Sequence, residues 1–165
     1  LFRSLLVYGI ILIIGASAGK TDVMQPLKGL SAGSGTNSEA KAQHLQFKTI
    51  TSVSQLNKEL EKAKNNGQNV LLDYYADWCI SCIELEKYTF SDAKVISSLK
   101  DFVLLQADVT KDNDDSKQLL KNYQLIGPPA LLFFDAQGQE FRNYRLVGYK
   151  DAEQFVKHIN RFKTK

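Results

Sequence analysis

The sequence has little excess charge of either sign and no run of basic residues. It holds 21 Lys or Arg and 18 Asp or Glu among 165 residues, which gives a formal net charge of +3. A protein that binds nucleic acid needs a clustered basic face, often with aromatic side chains among the basic ones. Because the sequence has no such cluster, nucleic acid is excluded as a partner.

Cysteine and histidine are also scarce, which limits the kinds of site that the chain can build. The only cysteines are Cys79 and Cys82, and the only histidines are His44 and His158. A zinc site needs four suitably spaced ligands, and the chain has no second Cys-x-x-Cys pair to complete one. No metal is therefore expected. The two cysteines can pair only with each other or with a cysteine of another protein.

An uncharged, mostly apolar run lies near the start of the chain, at residues 4–19 between Arg3 and Lys20. It is slightly shorter than the roughly 20 residues that cross a bilayer. One interpretation is the end of the last membrane helix of a longer protein, and another is a signal peptide or anchor with small residues at 16–18. A buried globular helix fits less well because it would carry a polar stripe. Residues 1–19 are predicted to be a transmembrane segment or signal anchor, with the following chain outside the cytoplasm.

The composition changes after this run and again at residue 47. Residues 20–46 are rich in Gly, Ser, Ala, Thr, Asn and Gln and predict a flexible linker. Residues 47–165 alternate short apolar runs with amphipathic stretches, which predicts one α/β domain with a mixed central sheet flanked by helices. Strands are predicted at 47–50, 70–76, 102–109, 130–134 and 141–147, the last two as a hairpin, and helices at 53–64, 79–99, 116–123 and 151–162, with Asp151 as an N-cap.

The two cysteines stand where a predicted strand gives way to a predicted helix. Unpaired backbone N–H groups and the helix dipole favour a thiolate at Cys79, which makes it the candidate nucleophile. Cys82 lies about one turn further on, so it can attack the same sulfur and release a bound partner. A disulfide over so short a loop would add only about 2 kcal/mol of stability, so a purely structural bond explains the motif less well. Two inert buried thiols would not explain why the cysteine pair stands at the start of a helix.

Three motifs in a fixed order carry a resemblance to a known family. They are YADWCISC at 75–82, GPP at 127–129 before the run ALLFF, and VGY at 147–149 before the last helix. Together they resemble the thioredoxin superfamily over about residues 47–165. More narrowly, LLDYYADWCISCIELEKYTFSD, with LLQADVT and LFFDAQGQE downstream, is similar to the C-terminal periplasmic domain of the DsbD family of thiol:disulfide interchange proteins. The resemblance implies a thioredoxin-like fold and a protein-disulfide reductase.

The resemblance also implies a place in an electron relay. Cys79 and Cys82 would receive two electrons from a membrane-embedded dithiol domain, which draws on cytoplasmic thioredoxin and ultimately on NADPH. They would pass them to an N-terminal periplasmic domain of the same protein, which reduces periplasmic isomerases and cytochrome-maturation proteins. The domain would be monomeric, need no bound cofactor, and lie in the periplasm at the bacterial inner membrane. The alternative is a free-standing secreted or membrane-anchored thioredoxin-like protein.

Two acidic residues are implied to lie behind the cysteines. Asp73 interrupts the apolar run VLLDYY at the position of the buried acid of thioredoxins, where burial favours the neutral form and suits proton exchange with a thiol. Glu86 follows Cys82 by one turn, and the resemblance pairs it with Asp73. Both charges would oppose thiolate formation at Cys79, which argues against a disulfide-forming oxidase. A strand-end Asp bound to a loop amide and a solvated Glu are the alternatives.

Pro129 and Trp78 complete the implied site. Pro129 matches the cis proline that faces the cysteines in thioredoxins, and an ordinary trans proline is the alternative. The residue before it commonly offers N–H and C=O to an extended partner, but Pro128 has no N–H, so one docking hydrogen bond should be missing. Trp78 is expected to form a contact surface beside Cys79, and a purely structural Trp is the alternative. Gly148 is expected to approach the site closely or to serve as a turn glycine.

Overall fold

A five-stranded mixed sheet forms the centre of the computed structural model, which describes residues 45–164. The strands are β1 (Lys48–Ile50), β2 (Val70–Tyr75), β3 (Val103–Asp108), β4 (Ala130–Phe134) and β5 (Leu146–Val147), in the spatial order β1-β3-β2-β4-β5. β1, β3 and β2 run parallel, β4 is antiparallel to β2, and β5 is antiparallel to β4. The predicted fold class is confirmed.

Five α-helices pack on the sheet. They are α1 (Val53–Asn65), α2 (Ile80–Glu84), α3 (Ala93–Leu99), α4 (Asp114–Asn122) and α5 (Ala152–Lys163). Asp151 accepts a hydrogen bond from the N–H of Gln154 at 2.9 Å, so it caps α5 as the sequence predicts. Ser52 and Asn113 cap α1 and α4 in the same manner. Within residues 45–164 no helix is long and apolar enough to cross a membrane.

The single helix predicted at 79–99 is wrong, because the chain forms two helices there. A π-helical turn at Leu85–Thr89 widens the backbone after α2, and the N–H of Phe90 donates to the carbonyl of Leu85 at 2.8 Å. Asp92 then accepts hydrogen bonds from the N–H groups of Lys94 and Val95 at 2.8 and 3.2 Å. The apolar spacing continues across the break, but this side-chain cap starts a new helix.

The strand predicted at 141–147 is shorter than expected. A 3-10 turn at Arg142–Tyr144 occupies its first half, and only Leu146–Val147 pairs with β4. The turn lets the rings of Phe141 and Tyr144 both contact Phe162 of α5, at centroid distances of 5.6 and 5.7 Å. Packing against α5 therefore overrides the alternating pattern that favoured a strand.

The two faces of the sheet bury different cores. Val70, Leu72 and Tyr74 of β2 pack with residues of α1 and α4 on one face. On the other face an aromatic cluster lies under α5; it consists of Phe133, Phe141, Tyr144, Phe155, His158 and Phe162. Leu45 and Phe47 pack on this second side. The packed domain thus already includes Leu45, whereas the predicted segment 1–19 and most of the predicted linker 20–46 fall outside the described residues.

Candidate active site

Cys79 and Cys82 form a disulfide at the carboxyl end of β2. Cys79 is the N-cap of α2, and its sulfur accepts a hydrogen bond from the N–H of Cys82 at 3.2 Å. Their Cα atoms are 5.3 Å apart. Cys79 is 7% exposed and Cys82 only 2%, so an approaching sulfur atom reaches Cys79 first.

A buried carboxyl belongs to Asp73 of β2, the strand that leads to Cys79. Asp73 is 2% exposed, and the carbonyl oxygen of its neighbour Tyr74 lies 4.0 Å from the sulfur of Cys82. Its Oδ2 accepts a hydrogen bond from Nε2 of Gln106 at 3.1 Å, whereas its Oδ1 is buried without a partner. Burial raises the pKa of Asp73 to about 7; the hydrogen bond from Gln106 opposes this rise, and the charge of Glu86 adds to it.

Glu86 reaches the same amide from the π-helical turn. Its Oε1 accepts a hydrogen bond from Nε2 of Gln106 at 3.2 Å, although the Glu86 side chain is exposed. The structure thus brings Asp73 and Glu86 together through one side chain of β3, while Glu86 is also exposed to solvent. Gln106 was missed by the sequence analysis. The one available signal is a polar residue within the apolar run of β3, and its meaning depends on the register with Asp73.

Trp78 lies at the surface beside Cys79 and is 63% exposed. Its indole Nε1 donates to the carbonyl oxygen of Thr110 at 3.2 Å, and the N–H of Asp77 donates to Oγ1 of Thr110 at 3.1 Å. The N–H of Thr110 is in turn bound to Asp108 at 2.9 Å. Thr110, which the sequence analysis did not single out, therefore holds the loop that leads into the cysteine pair.

The other two sequence motifs meet at the same end of the sheet. The Pro128–Pro129 peptide bond is cis, as the resemblance implied, and Ala130 after it pairs with both Tyr74 and Val147. Gly148 has a φ of 80° and donates its N–H to the carbonyl oxygen of Pro129 at 3.1 Å. It is thus a turn glycine that joins the proline loop to β5.

Large apolar side chains remain exposed around this end of the molecule. Ile126 precedes the proline loop and is fully exposed, and Ile80 next to Cys79 is 75% exposed. We call the set the apolar rim; it consists of Trp78, Ile80, Ile126, Val147 and Tyr149. Exposed apolar side chains concentrated at the end of the sheet that carries a reactive group are typical of a protein-binding surface.

The placement of potential metal ligands among the described residues bears on metal binding. Residues 45–164 contain no group of three or more His, Cys, Asp or Glu side chains placed to hold a metal ion. Asp73 and Glu86 are bound to an amide nitrogen, which is a donor and not a cation. The described site contains a disulfide and, on the strand that precedes it, a buried acid.

A family model described as a thioredoxin-like domain matches residues 56–163. The chain belongs to the thioredoxin-like family. Among solved structures, this thioredoxin-like chain is similar to the C-terminal domain of DsbD from Neisseria meningitidis in its oxidised form. The TM-score is 0.61 and the identity 30%, with 69% of this chain and 98% of that chain covered.

Curated relatives of the thioredoxin-like chain carry the same name. It is 44% identical over 153 residues to the thiol:disulfide interchange protein DsbD of Ralstonia nicotianae, which covers 93% of this chain. It is 48% identical over 137 residues to DsbD of Salmonella paratyphi A, which covers 83% of this chain. The chain spans only 25% and 24% of the length of these two relatives. The names of these relatives give thiol:disulfide interchange as their activity.

Proposed function

We propose that this chain is a protein-disulfide reductase station that takes electrons from a membrane-embedded dithiol and passes them to partner disulfides in the periplasm. One observation carries the proposal: the Cys79–Cys82 disulfide stands at the start of α2, directly after a strand in which Asp73 carries a buried carboxyl with one unpaired oxygen. A structural disulfide has no need of such a carboxyl. The similarity to the thiol:disulfide interchange protein DsbD over most of the chain supports exchange chemistry at this pair.

The proposed reaction has two exchanges. In the reduced protein, the thiolate of Cys79 attacks a partner disulfide, whose bond breaks, and one partner sulfur leaves as a thiolate. Cys82 then gives its proton to the carboxylate of Asp73 and attacks the sulfur of Cys79. The bond between Cys79 and the partner breaks, and the second partner sulfur leaves and is protonated. The partner gains two electrons, its two sulfurs take up protons from Asp73 and from water, and the Cys79–Cys82 disulfide remains.

The two acids are proposed to restrain Cys79. A second negative charge close to Asp73 and Glu86 is costly, so these carboxylates disfavour a thiolate that would react indiscriminately. Asp73→Asn combined with Glu86→Gln should therefore make Cys79 react faster with iodoacetamide at neutral pH. An unchanged rate across the pH range would contradict this role.

Partner docking is proposed to occur at the apolar rim and the loop before β4. Trp78 and Ile126 offer apolar contact area, and the carbonyl oxygen of Pro128 can accept a hydrogen bond from an extended partner segment. Pro128 itself has no N–H to donate, so the apolar contacts must supply more of the affinity. The proposed partners are a membrane-embedded dithiol domain and an N-terminal periplasmic domain of the same protein, and the proposed location is the bacterial inner membrane.

The decisive test is the reduction potential of the Cys79–Cys82 couple, measured by equilibration with glutathione. We expect a strongly reducing couple, and an oxidising one would contradict a reductase. The division of labour is tested by replacing each cysteine in turn. Cys82→Ala should accumulate a mixed disulfide through Cys79 with a protein disulfide, whereas Cys79→Ala should not. If trapping instead requires Cys79→Ala, the two roles are reversed.

The second candidate is a free-standing secreted or membrane-anchored thioredoxin-like reductase. It uses the same chemistry and differs only in what precedes residue 20. Sequencing the N-terminus of the mature protein separates the two candidates, because cleavage after Ala18 favours the free-standing form. Membrane spans upstream in the intact protein favour the relay.

A further inference from the structure

Among the described residues, Gln106 of β3 donates hydrogen bonds to both acids of the site. Its Nε2 lies 3.1 Å from Oδ2 of Asp73 and 3.2 Å from Oε1 of Glu86, so its two N–H bonds serve one carboxyl each. The parallel register of β2 and β3 sets Gln106 directly beside Asp73. The amide therefore connects a carboxyl that is 2% exposed with one that faces solvent.

The Gln106 amide stabilises the ionised form of Asp73 by a hydrogen bond. A carboxylate buried away from water loses solvation, and a donor that points at it recovers part of that loss. Gln106 donates a hydrogen bond to Oδ2 of Asp73, and Oδ1 of the same carboxyl has no partner within the described residues. Without Gln106, Asp73 would keep its proton to higher pH.

We propose that Gln106 is a positioning residue of the resolving step, whose amide holds the Asp73 carboxylate ready to receive the proton of Cys82. The inference rests on the proposed role of Cys82 as the resolving thiol. In that step the Cys82 S–H bond breaks, its proton moves to Asp73, and the Cys82–Cys79 bond forms as the partner sulfur leaves. Gln106 touches no reacting atom and acts through Asp73.

Loss of the Gln106 amide should slow the attack by Cys82 without slowing the attack by Cys79. A neutral Asp73 cannot accept a proton, so the attack by Cys82 slows. The attack by Cys79 needs no proton from Cys82, and less negative charge behind it leaves its thiolate equally stable or more so. The titratable groups facing this region are Asp73 and Glu86, with Tyr75, Asp77 and Asp108 at the end of β2 and β3.

The two exchanges can be followed separately with a chromogenic aromatic disulfide, 5,5′-dithiobis(2-nitrobenzoate). The reduced full chain releases one thionitrobenzoate when Cys79 attacks and a second when Cys82 resolves the mixed disulfide. In Gln106→Leu we expect the second release at pH 7 to be about fivefold slower, which corresponds to the loss of one hydrogen bond. The midpoint of its pH profile should move upward, and the rates of the variant and the unmodified chain should converge at high pH. The first release should be unchanged or faster.

Two further variants keep the test decisive. Gln106→Glu has nearly the same shape but brings a third acid in place of the donor, so it should move the second-phase midpoint at least as far as Gln106→Leu. Gln118→Leu makes the same replacement on the exposed face of α4 and should change neither phase. Equal slowing of both phases at every pH, or an unmoved midpoint, overturns the role of Gln106. Absence of any second release in the unmodified chain would instead refute the proposed resolving role of Cys82.

Discussion

Leu71 and Asp73 lie two residues apart on the same strand and face the same side of the sheet, yet their surroundings are opposite. Leu71 is fully buried in the apolar core beside the aromatic cluster. Asp73 is nearly as buried but has one oxygen without a partner. The side of the sheet under α5 is thus packed for stability at one end, whereas at the other end it keeps a group that costs stability. Such a cost is typical of a functional site.

Other buried polar groups in the described chain show how unusual Asp73 is. The hydroxyl of Tyr74 donates to the carbonyl of Leu119 at 2.9 Å, and that of Thr89 donates to the carbonyl of Lys150 at 2.6 Å. The Nε2 of His158 lies 2.7 Å from the carbonyl oxygen of Tyr144. Away from the cysteines, these interior polar groups are paired with backbone carbonyls. The unpaired oxygen belongs to the carboxyl that we propose as the proton acceptor of Cys82.

The largest change in the free energy of unfolding is expected in the aromatic cluster under α5. Phe155 is fully buried and its ring contacts Phe90 and Phe133, at centroid distances of 5.7 and 6.4 Å. Phe155→Ala should lower the free energy of unfolding by about 3–5 kcal/mol, measured in urea with the disulfide intact. The folded variant should still react with the aromatic disulfide at an unchanged rate. If the free energy of unfolding falls by less than about 1 kcal/mol, the aromatic end of the sheet is not packed for stability as described.

Asp73→Asn should raise the free energy of unfolding, whereas Phe155→Ala lowers it. Because burial raises the pKa of Asp73 from 3.8 to about 7, the folded state holds a proton that the unfolded state loses between those pH values. The stability of the unmodified chain should therefore fall as pH rises from about 4 to about 7, and the Asn variant should lack that fall. At pH 8 we expect Asp73→Asn to be more stable by roughly 2–4 kcal/mol.

An acid outside the site serves as the control for the pH dependence assigned to Asp73. Asp101 is exposed between α3 and β3, so Asp101→Asn should leave the pH dependence of unfolding as it is. If Asp73→Asn destabilises the protein at pH 8, the carboxyl is not the costly group that the comparison requires. Replacing Asp73 by Asn should also slow the second release of thionitrobenzoate. The carboxyl that lowers stability would then be the one that the reaction uses.

Thr110→Val should have a smaller effect, of about 1 kcal/mol. The change removes the Oγ1 that accepts from the N–H of Asp77 but keeps the backbone carbonyl that binds the indole of Trp78. Thermal unfolding measures the loss. Thr110→Ser retains the acceptor and should match the unmodified chain, and an unchanged stability in Thr110→Val would contradict a contribution from this hydrogen bond.

Trp78→Ala should change stability least, by less than about 0.5 kcal/mol, because the side chain is 63% exposed. Its effect should appear in exchange with a protein substrate. Reduction of insulin should slow several-fold, whereas the first reaction with the small aromatic disulfide should not. Equal slowing of both reactions would place Trp78 in the chemistry and not in docking.

The sequence by itself determined the elements that depend on neighbours along the chain. Alternation of apolar runs predicted the strands and the mixed sheet, Asp151 predicted the start of α5, and the spacing of Cys79 and Cys82 predicted a redox pair. Each of these depends on backbone geometry or side-chain period within about one helix turn or one strand. The resemblance supplied Asp73, Glu86 and the cis bond before Pro129.

Only the tertiary structure decided which side chains meet at the site. Asp73 and Gln106 are 33 residues apart in sequence and become neighbours through the register of β2 and β3. Glu86 reaches them because the π-helical turn redirects a segment that the apolar spacing predicted as one continuous helix. Such placements depend on the packing of whole elements against one another, which no local pattern encodes.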